Sequence, residues 1–213
     1  MALFALVPSF AQEAGEGQTL YGFVLGVGVN AETQKYGFVK FNTSDLTKVD
    51  YLRTVTMWTP MVCAAEYLDG KIYAYTVDWD SDFGGYSSSA FEVYDATTFK
   101  SESSVNRSSE QRVLDMAYDY ATNTMYALAE DAVSTNEKTG ATSLCIVDLA
   151  TGKLTRVGSP DIPQATDGYN RLVNNTLFTL AADNNCNLYA MSDYRSFFKL
   201  DKFTGKATQV GER

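Results

Sequence analysis

The chain has 213 residues, 45% of them hydrophobic and 13% aromatic, with a net charge of -9 and no histidine. Such a composition specifies a globular, β-prone chain long enough to bury a substantial core. It leaves no basic stripe for nucleic-acid phosphates or for an anionic membrane surface. Without histidine, Ser-His-Asp and Cys-His catalysis and every His-containing zinc or iron site are excluded.

In chain order, residues 1–7 (MALFALV) form a short apolar run before Pro8. Small residues at Ser9 and Ala11 fit a signal-peptidase site, so residues 1–11 read as the back half of a signal peptide and 12–18 as a linker. Secretion, a periplasmic location or the cell surface is the matching expectation; the competing reading is an N-terminal β-strand. No other segment approaches the ~20 apolar residues of a membrane span, so no membrane insertion is expected.

From Thr19 onward the chain repeats. Asn42, Asp95, Asp148 and Asp201 follow one another at 53-residue intervals, each after an apolar strand-like run and each opening a polar turn. Upstream of each lies a Tyr, a small residue and an apolar one: Tyr21-Gly22-Phe23, Tyr73-Ala74-Tyr75, Tyr126-Ala127-Leu128 and Tyr189-Ala190-Met191. The third unit reads as four strands in meander order, and the Asp-x-x-Thr-Gly-Lys turn suits a type I turn closed by a left-handed glycine. Four antiparallel strands per repeat predict an all-β fold, a β-propeller of about four blades over 19–55, 56–106, 107–159 and 160–213. A sandwich would not repeat both anchors, and a β-helix needs a shorter repeat. The first unit lacks a first strand at hairpin distance, so an incomplete ring is expected, with further blades supplied by the same or another chain.

These Tyr-Ala-apolar strands and Asp-x-x-Thr-Gly-Lys turns resemble the divergent propeller repeats of secreted and surface bacterial proteins, distantly similar to quinoprotein-like and YVTN propellers. The resemblance covers about Thr19 to Glu212 and implies a fold; no quinone-cofactor motif accompanies it.

Function is read from the loops. Turns joining strands one to two and three to four are short, whereas Asp78–Ser89, Glu130–Ala141 and Ser159–Thr176 are long and share one face, where binding usually resides. Asp78, Asp80 and Asp82 alternate along one of them, ahead of Gly84-Gly85. No cofactor is required by the sequence; alternating carboxylates suit Ca²⁺, although an EF-hand-type glycine would come one position earlier and no Glu closes the loop. Trp58, Trp79, Phe83, Tyr86, Tyr169 and Tyr194 lie in or beside these loops and can stack on sugar rings or anchor a peptide, or simply pack between blades. Arg171 and Arg195 stand nearby as anion contacts. Glu130 and Asp131 are adjacent carboxylates, but adjacency does not set a catalytic separation. Cys63, Cys145 and Cys186 lie in separate units without CxxC spacing and read as free thiols. The leading expectation is a binding module for a glycan or protein. A carboxylate-based lyase or hydrolase in the channel, and a structural repeat of a larger surface protein, are the alternatives.

Overall fold

A computed structural model describes residues 4–6, 17–27, 35–55, 61–80, 85–107, 111–130, 142–166, 168–173 and 175–211. Four antiparallel sheets of four strands each form the blades of a four-blade β-propeller that no ring of hydrogen bonds closes. Blade 1 is β1 (Phe4–Leu6), β2 (Thr19–Val27), β3 (Lys35–Asn42) and β4 (Asp45–Val55). Blade 2 is β5 (Met61–Leu68), β6 (Lys71–Asp80), β7 (Gly85–Asp95) and β8 (Ser101–Asn106). Blade 3 is β9 (Arg112–Asp119), β10 (Thr124–Glu130), β11 (Thr142–Val147) and β12 (Leu154–Gly158). A two-stranded ribbon, β13 (Ala165–Thr166) with β14 (Leu172–Val173), precedes blade 4, which is β15 (Leu177–Ala182), β16 (Leu188–Ser192), β17 (Phe197–Leu200) and β18 (Ala207–Gln209).

The first unit therefore does have a first strand. Phe4–Leu6 pairs with β2, Phe4 opposite Phe23 and Leu6 opposite Tyr21. Residues 7–18 intervene, too many to register as a hairpin signal in the sequence.

Side-chain patterning follows from this layering. Where a second strand is covered on both faces it reads as a continuous apolar run: β10, TMYALAE, has five consecutive buried residues. The fourth strands form the outer edges; β8 reads SESSVN and is almost wholly exposed, with charge and serine along an edge that must not pair further. First strands of successive blades pack beside one another, β1 on β5, β5 on β9 and β9 on β15.

The Tyr-small-apolar motif is the device that joins blades. In blade 1, Tyr21 and Phe23 face blade 2 and pack in one cluster with Ala74. Tyr73 and Tyr75 of blade 2 pack with Ala127 of blade 3, and Tyr126 and Leu128 of blade 3 with Ala190 of blade 4. Side chains alternate across a strand, so large residues of each unit face forward and the small residue faces back to receive the preceding pair.

Asp95, Asp148 and Asp201 act identically. Each carboxylate accepts backbone N–H bonds from the residues two and three positions on: Thr97 and Thr98, Ala150 and Thr151, Phe203 and Thr204. Gly152 and Gly205 take the left-handed position that ends the turn, φ 66° and 75°, as the sequence predicts; Phe99 holds it in blade 2. Asn42 caps its turn by accepting from the Ser44 N–H at 2.8 Å.

The constant 53-residue interval conceals a rearrangement. Tyr126 and Tyr189 are 63 residues apart, against 53 for Tyr73 and Tyr126. Blade 4 joins its second and third strands by a tight turn, Ser192 accepting from Arg195 N–H at 2.9 Å, and the missing length reappears ahead of β15, where the ribbon sits.

Candidate functional site

A β-bulge recurs where the first two strands of blades 2, 3 and 4 approach the long-loop end. The register slips between Val62 and Ala64, opposite Leu128 and Ala129, and between Leu177 and Thr179. The residues left unpaired are Cys63, Leu114 and Phe178, one per blade and equivalent in the repeat. Bulges of this kind bend the strand and re-aim its end, a common device at rims that carry binding sites.

Of the predicted aromatics, Trp79 and Tyr86 are brought opposite one another in the β6–β7 register. This pairing reflects a difference from the sequence reading: β6 runs on to Asp80 and β7 begins at Gly85, so Asp78-Trp79-Asp80 is strand, not loop. Asp78 and Asp80 occupy alternate positions of that strand. Trp58, Asp82 and Phe83 lie outside the described residues, as do Asp131 and Asp167. Among the described residues no group of three His, Cys, Asp or Glu is placed to hold a metal ion.

Tyr169 and Arg171 are also brought together. Both lie between β13 and β14, where Asn170 takes a left-handed φ of 59° to turn the chain. Tyr169 is 83% exposed and Leu172 71%, while the Arg171 guanidinium lies 5.2 Å from the centre of the Tyr169 ring. The segment is pinned at both ends. Ala207 N–H donates to Pro160 O at 3.0 Å, and Asn175 Nδ2 donates to Pro163 O at 3.2 Å. Asp193 N–H donates to Thr176 O, and the Asp193 carboxylate accepts from Thr176 N–H, both at 3.0 Å. The ribbon thus leaves directly beside the β16–β17 turn, which carries half-buried Tyr194 and exposed Arg195.

Two carboxylates that sequence reasoning missed stand on the first strands. Glu66 of β5 faces β9, and Asp115 of β9 faces β15. Asp115 accepts N–H bonds from Met116 at 2.9 Å and, across the blade boundary, from Leu180 at 2.7 Å. For Glu66, the backbone N–H groups of Tyr67 and of Tyr118 of blade 3 favour the charged form. Burial pushes Glu66 up to about 8, helped by the negative charge of Asp115, and burial pushes Asp115 up to about 7. Nearby, Cys63 donates its thiol to Tyr75 O at 3.3 Å, and burial raises that thiol to about 12, so it is no nucleophile. Glu130 is ion-paired with Arg112 at 2.5 Å across the ends of β9 and β10. No local motif marks Glu66 or Asp115; the only signal is an acidic residue inside an otherwise apolar strand pattern. All three cysteines are free thiols.

Compared with models of known families and with curated proteins, the chain matches none. Among solved structures it is similar to the exo-β-1,3-galactanase of Phanerochaete chrysosporium in complex with β-1,3-galactotriose, at 11% identity and TM-score 0.59 over 97% of this chain and 49% of that one. It is also similar to the xyloglucan PUL GH43B protein of Bacteroides ovatus, at 12% identity and TM-score 0.57 over 98% of this chain and 40% of that one. A GH43_1 enzyme of Xanthomonas citri complexed with xylose gives 13% and 0.53 over 98% and 74%. These neighbours are β-propellers, and at such identities the likeness is one of fold. The chain spans about half the length of the first two.

Proposed function

We propose that this protein is a secreted or surface-exposed β-propeller that binds a glycan at its long-loop end. The observation that carries this reading is the Tyr169 ring, 83% exposed on a pinned ribbon and flanked by the Arg171 guanidinium. An exposed aromatic plate stacks on the apolar face of a sugar, and the guanidinium beside it donates hydrogen bonds to ring hydroxyls. The three structural neighbours were described with, or named for, galacto-, xylo- and xyloglucan-type carbohydrates, which supports a carbohydrate over a peptide. Calorimetry with β-1,3-galacto-oligosaccharides, xylo-oligosaccharides and xyloglucan fragments tests it. Binding to one of them, weakened about tenfold or more by Tyr169→Ala at unchanged melting temperature, is the expected result. Absence of binding to all three, or equal affinity of the variant, would overturn it.

A hydrolase reading is favoured by one observation, the desolvated Glu66–Asp115 pair, since a carboxyl held protonated near neutrality is what a general acid requires. Against it, the Asp115 carboxylate already ties neighbouring first strands together by accepting from Leu180 N–H. Sugar release from the same oligosaccharides, abolished by Glu66→Gln, would favour catalysis. A calcium site at Asp78, Asp80 and Asp82 is a further part of the proposal, checked by melting with millimolar Ca²⁺ against chelator.

A further inference from the structure

We infer that the forward face of blade 4 is a docking surface for a fifth blade of this same repeat, consecutive with the four described. This inference is independent of the glycan reading. Register makes Phe23, Tyr75, Leu128 and Met191 equivalent, and likewise Phe38, Phe91, Leu144 and Phe197. In blades 1 to 3 each of these side chains is at most 3% exposed beneath the next blade, whereas Met191 is 39% and Phe197 43% exposed. Blade 4 keeps the apolar identities and lacks the cover. Its Tyr189 ring also stacks on Phe197, centroids 5.3 Å apart and planes 7° from parallel, which sets a flat plate into the middle of the face.

The chemistry of the occupant follows from the three interfaces already present. Each sets a large forward pair against Ala74, Ala127 or Ala190 of the following blade. A second copy docking face to face would bring large residues against large ones, where packing needs large against small. A second copy docking head to tail would need the rear face of blade 1 around Gly22, but Val24 and Val39 on that face are already buried. Every interface of this type in the molecule joins consecutive repeats, which selects the next repeat as the source. Lys199 does not obstruct it. Blade 1 carries Lys40 at the equivalent position, at the rim of a filled interface.

Two measurements test this. In the 213-residue chain, Phe197→Lys should leave the melting temperature within about 1 °C, while Phe91→Lys at the equivalent covered position should lower it by about 8 °C or more. Fusing a copy of residues 56–107 after Arg213 should raise the midpoint by about 4 °C or more, and either Phe197→Lys or Ala74→Trp in the appended copy should remove the gain. A loss from Phe197→Lys as large as that from Phe91→Lys would mean the face is already filled, and would overturn the inference without any fusion. A dimer of the unextended chain by sedimentation, dissociated by Phe197→Lys, would assign the face to a second copy instead. An extended chain that folds without a gain, or gains equally with Ala74→Trp, would also overturn it.

Discussion

Half-buried Glu66 and buried Asp115 show how carboxyls packed at a blade boundary can make a whole-molecule property depend on pH. Their protons are held more tightly in the folded chain than in the unfolded one, because burial raises both groups. Over the interval from about pH 4.5 to about 8 the unfolded state binds fewer protons, so the contribution of these groups to stability is full at the acid end and falls as pH rises. The turn aspartates act in the opposite sense. Hydrogen bonds from Thr151 and Ala150 hold Asp148 below its usual range, so its contribution is lost as pH falls through and below about 3.8. Thermal melting is therefore expected to give higher midpoints near pH 5 than near pH 8.5, with Glu66→Gln flattening that slope. A midpoint that rises toward pH 8.5 would show that Glu66 ionises freely. Gly152 is the second decisive residue. Its φ of 66° favours glycine, and a Cβ there would sit 2.3 Å from the Phe91 ring of blade 2, while its carbonyl accepts from Tyr75 Oη at 2.5 Å. Gly152→Ala should cost about 2 kcal/mol or more by denaturant unfolding, and Tyr75→Phe about 1 kcal/mol.

At the scale of the element, equivalent positions differ in worth by what covers them. Leu128 lies fully buried between blades 3 and 4, whereas Met191 occupies the same place in blade 4 with no blade over it. Leu128→Ala should cost about 2–5 kcal/mol and Met191→Ala about 1 kcal/mol or less, measured in the same urea titration. Equal losses would contradict the layering. The ribbon β13–β14 illustrates a different limit. Its length was visible in the sequence as a long loop, but its two short pairings, Ala165 with Val173 and Thr166 with Leu172, carry no periodic signal. The tertiary anchors at Pro160, Pro163 and Asp193 fix where Tyr169 is presented.

At the scale of the molecule, each blade is hydrogen-bonded within itself, and side chains join one blade to the next. Polar clasps supplement the apolar clusters: Lys202 of blade 4 meets the buried carboxylate of Asp119 at 2.5 Å, and Arg107 Nη2 donates to Thr151 O at 2.6 Å. Blades 2 and 3 are packed on both faces by described clusters, while blade 4 is packed on one. Native-state hydrogen exchange should accordingly show slowest exchange in β6 and β10 and measurably faster exchange in β16, a gradient that a fully closed ring would not produce.

The sequence by itself determined the all-β class, the blade count, the Asp-led turns and their left-handed glycines, since these rest on alternation and on contacts within a few residues. It could place the long loops at one end, because meander order fixes which turns are neighbours. It could not find the first strand of blade 1, which arrives across residues 7–18, nor separate loop from strand at Asp78-Trp79-Asp80. Nor could it find Glu66 and Asp115 as a pair, because their partners, the N–H groups of Tyr118 and Leu180, lie in the next blade. The tertiary structure alone decided which Tyr-small-apolar motif is covered and which lies open. Burial depends on what packs against a face, and nothing local to Tyr189-Ala190-Met191 distinguishes it from its three counterparts.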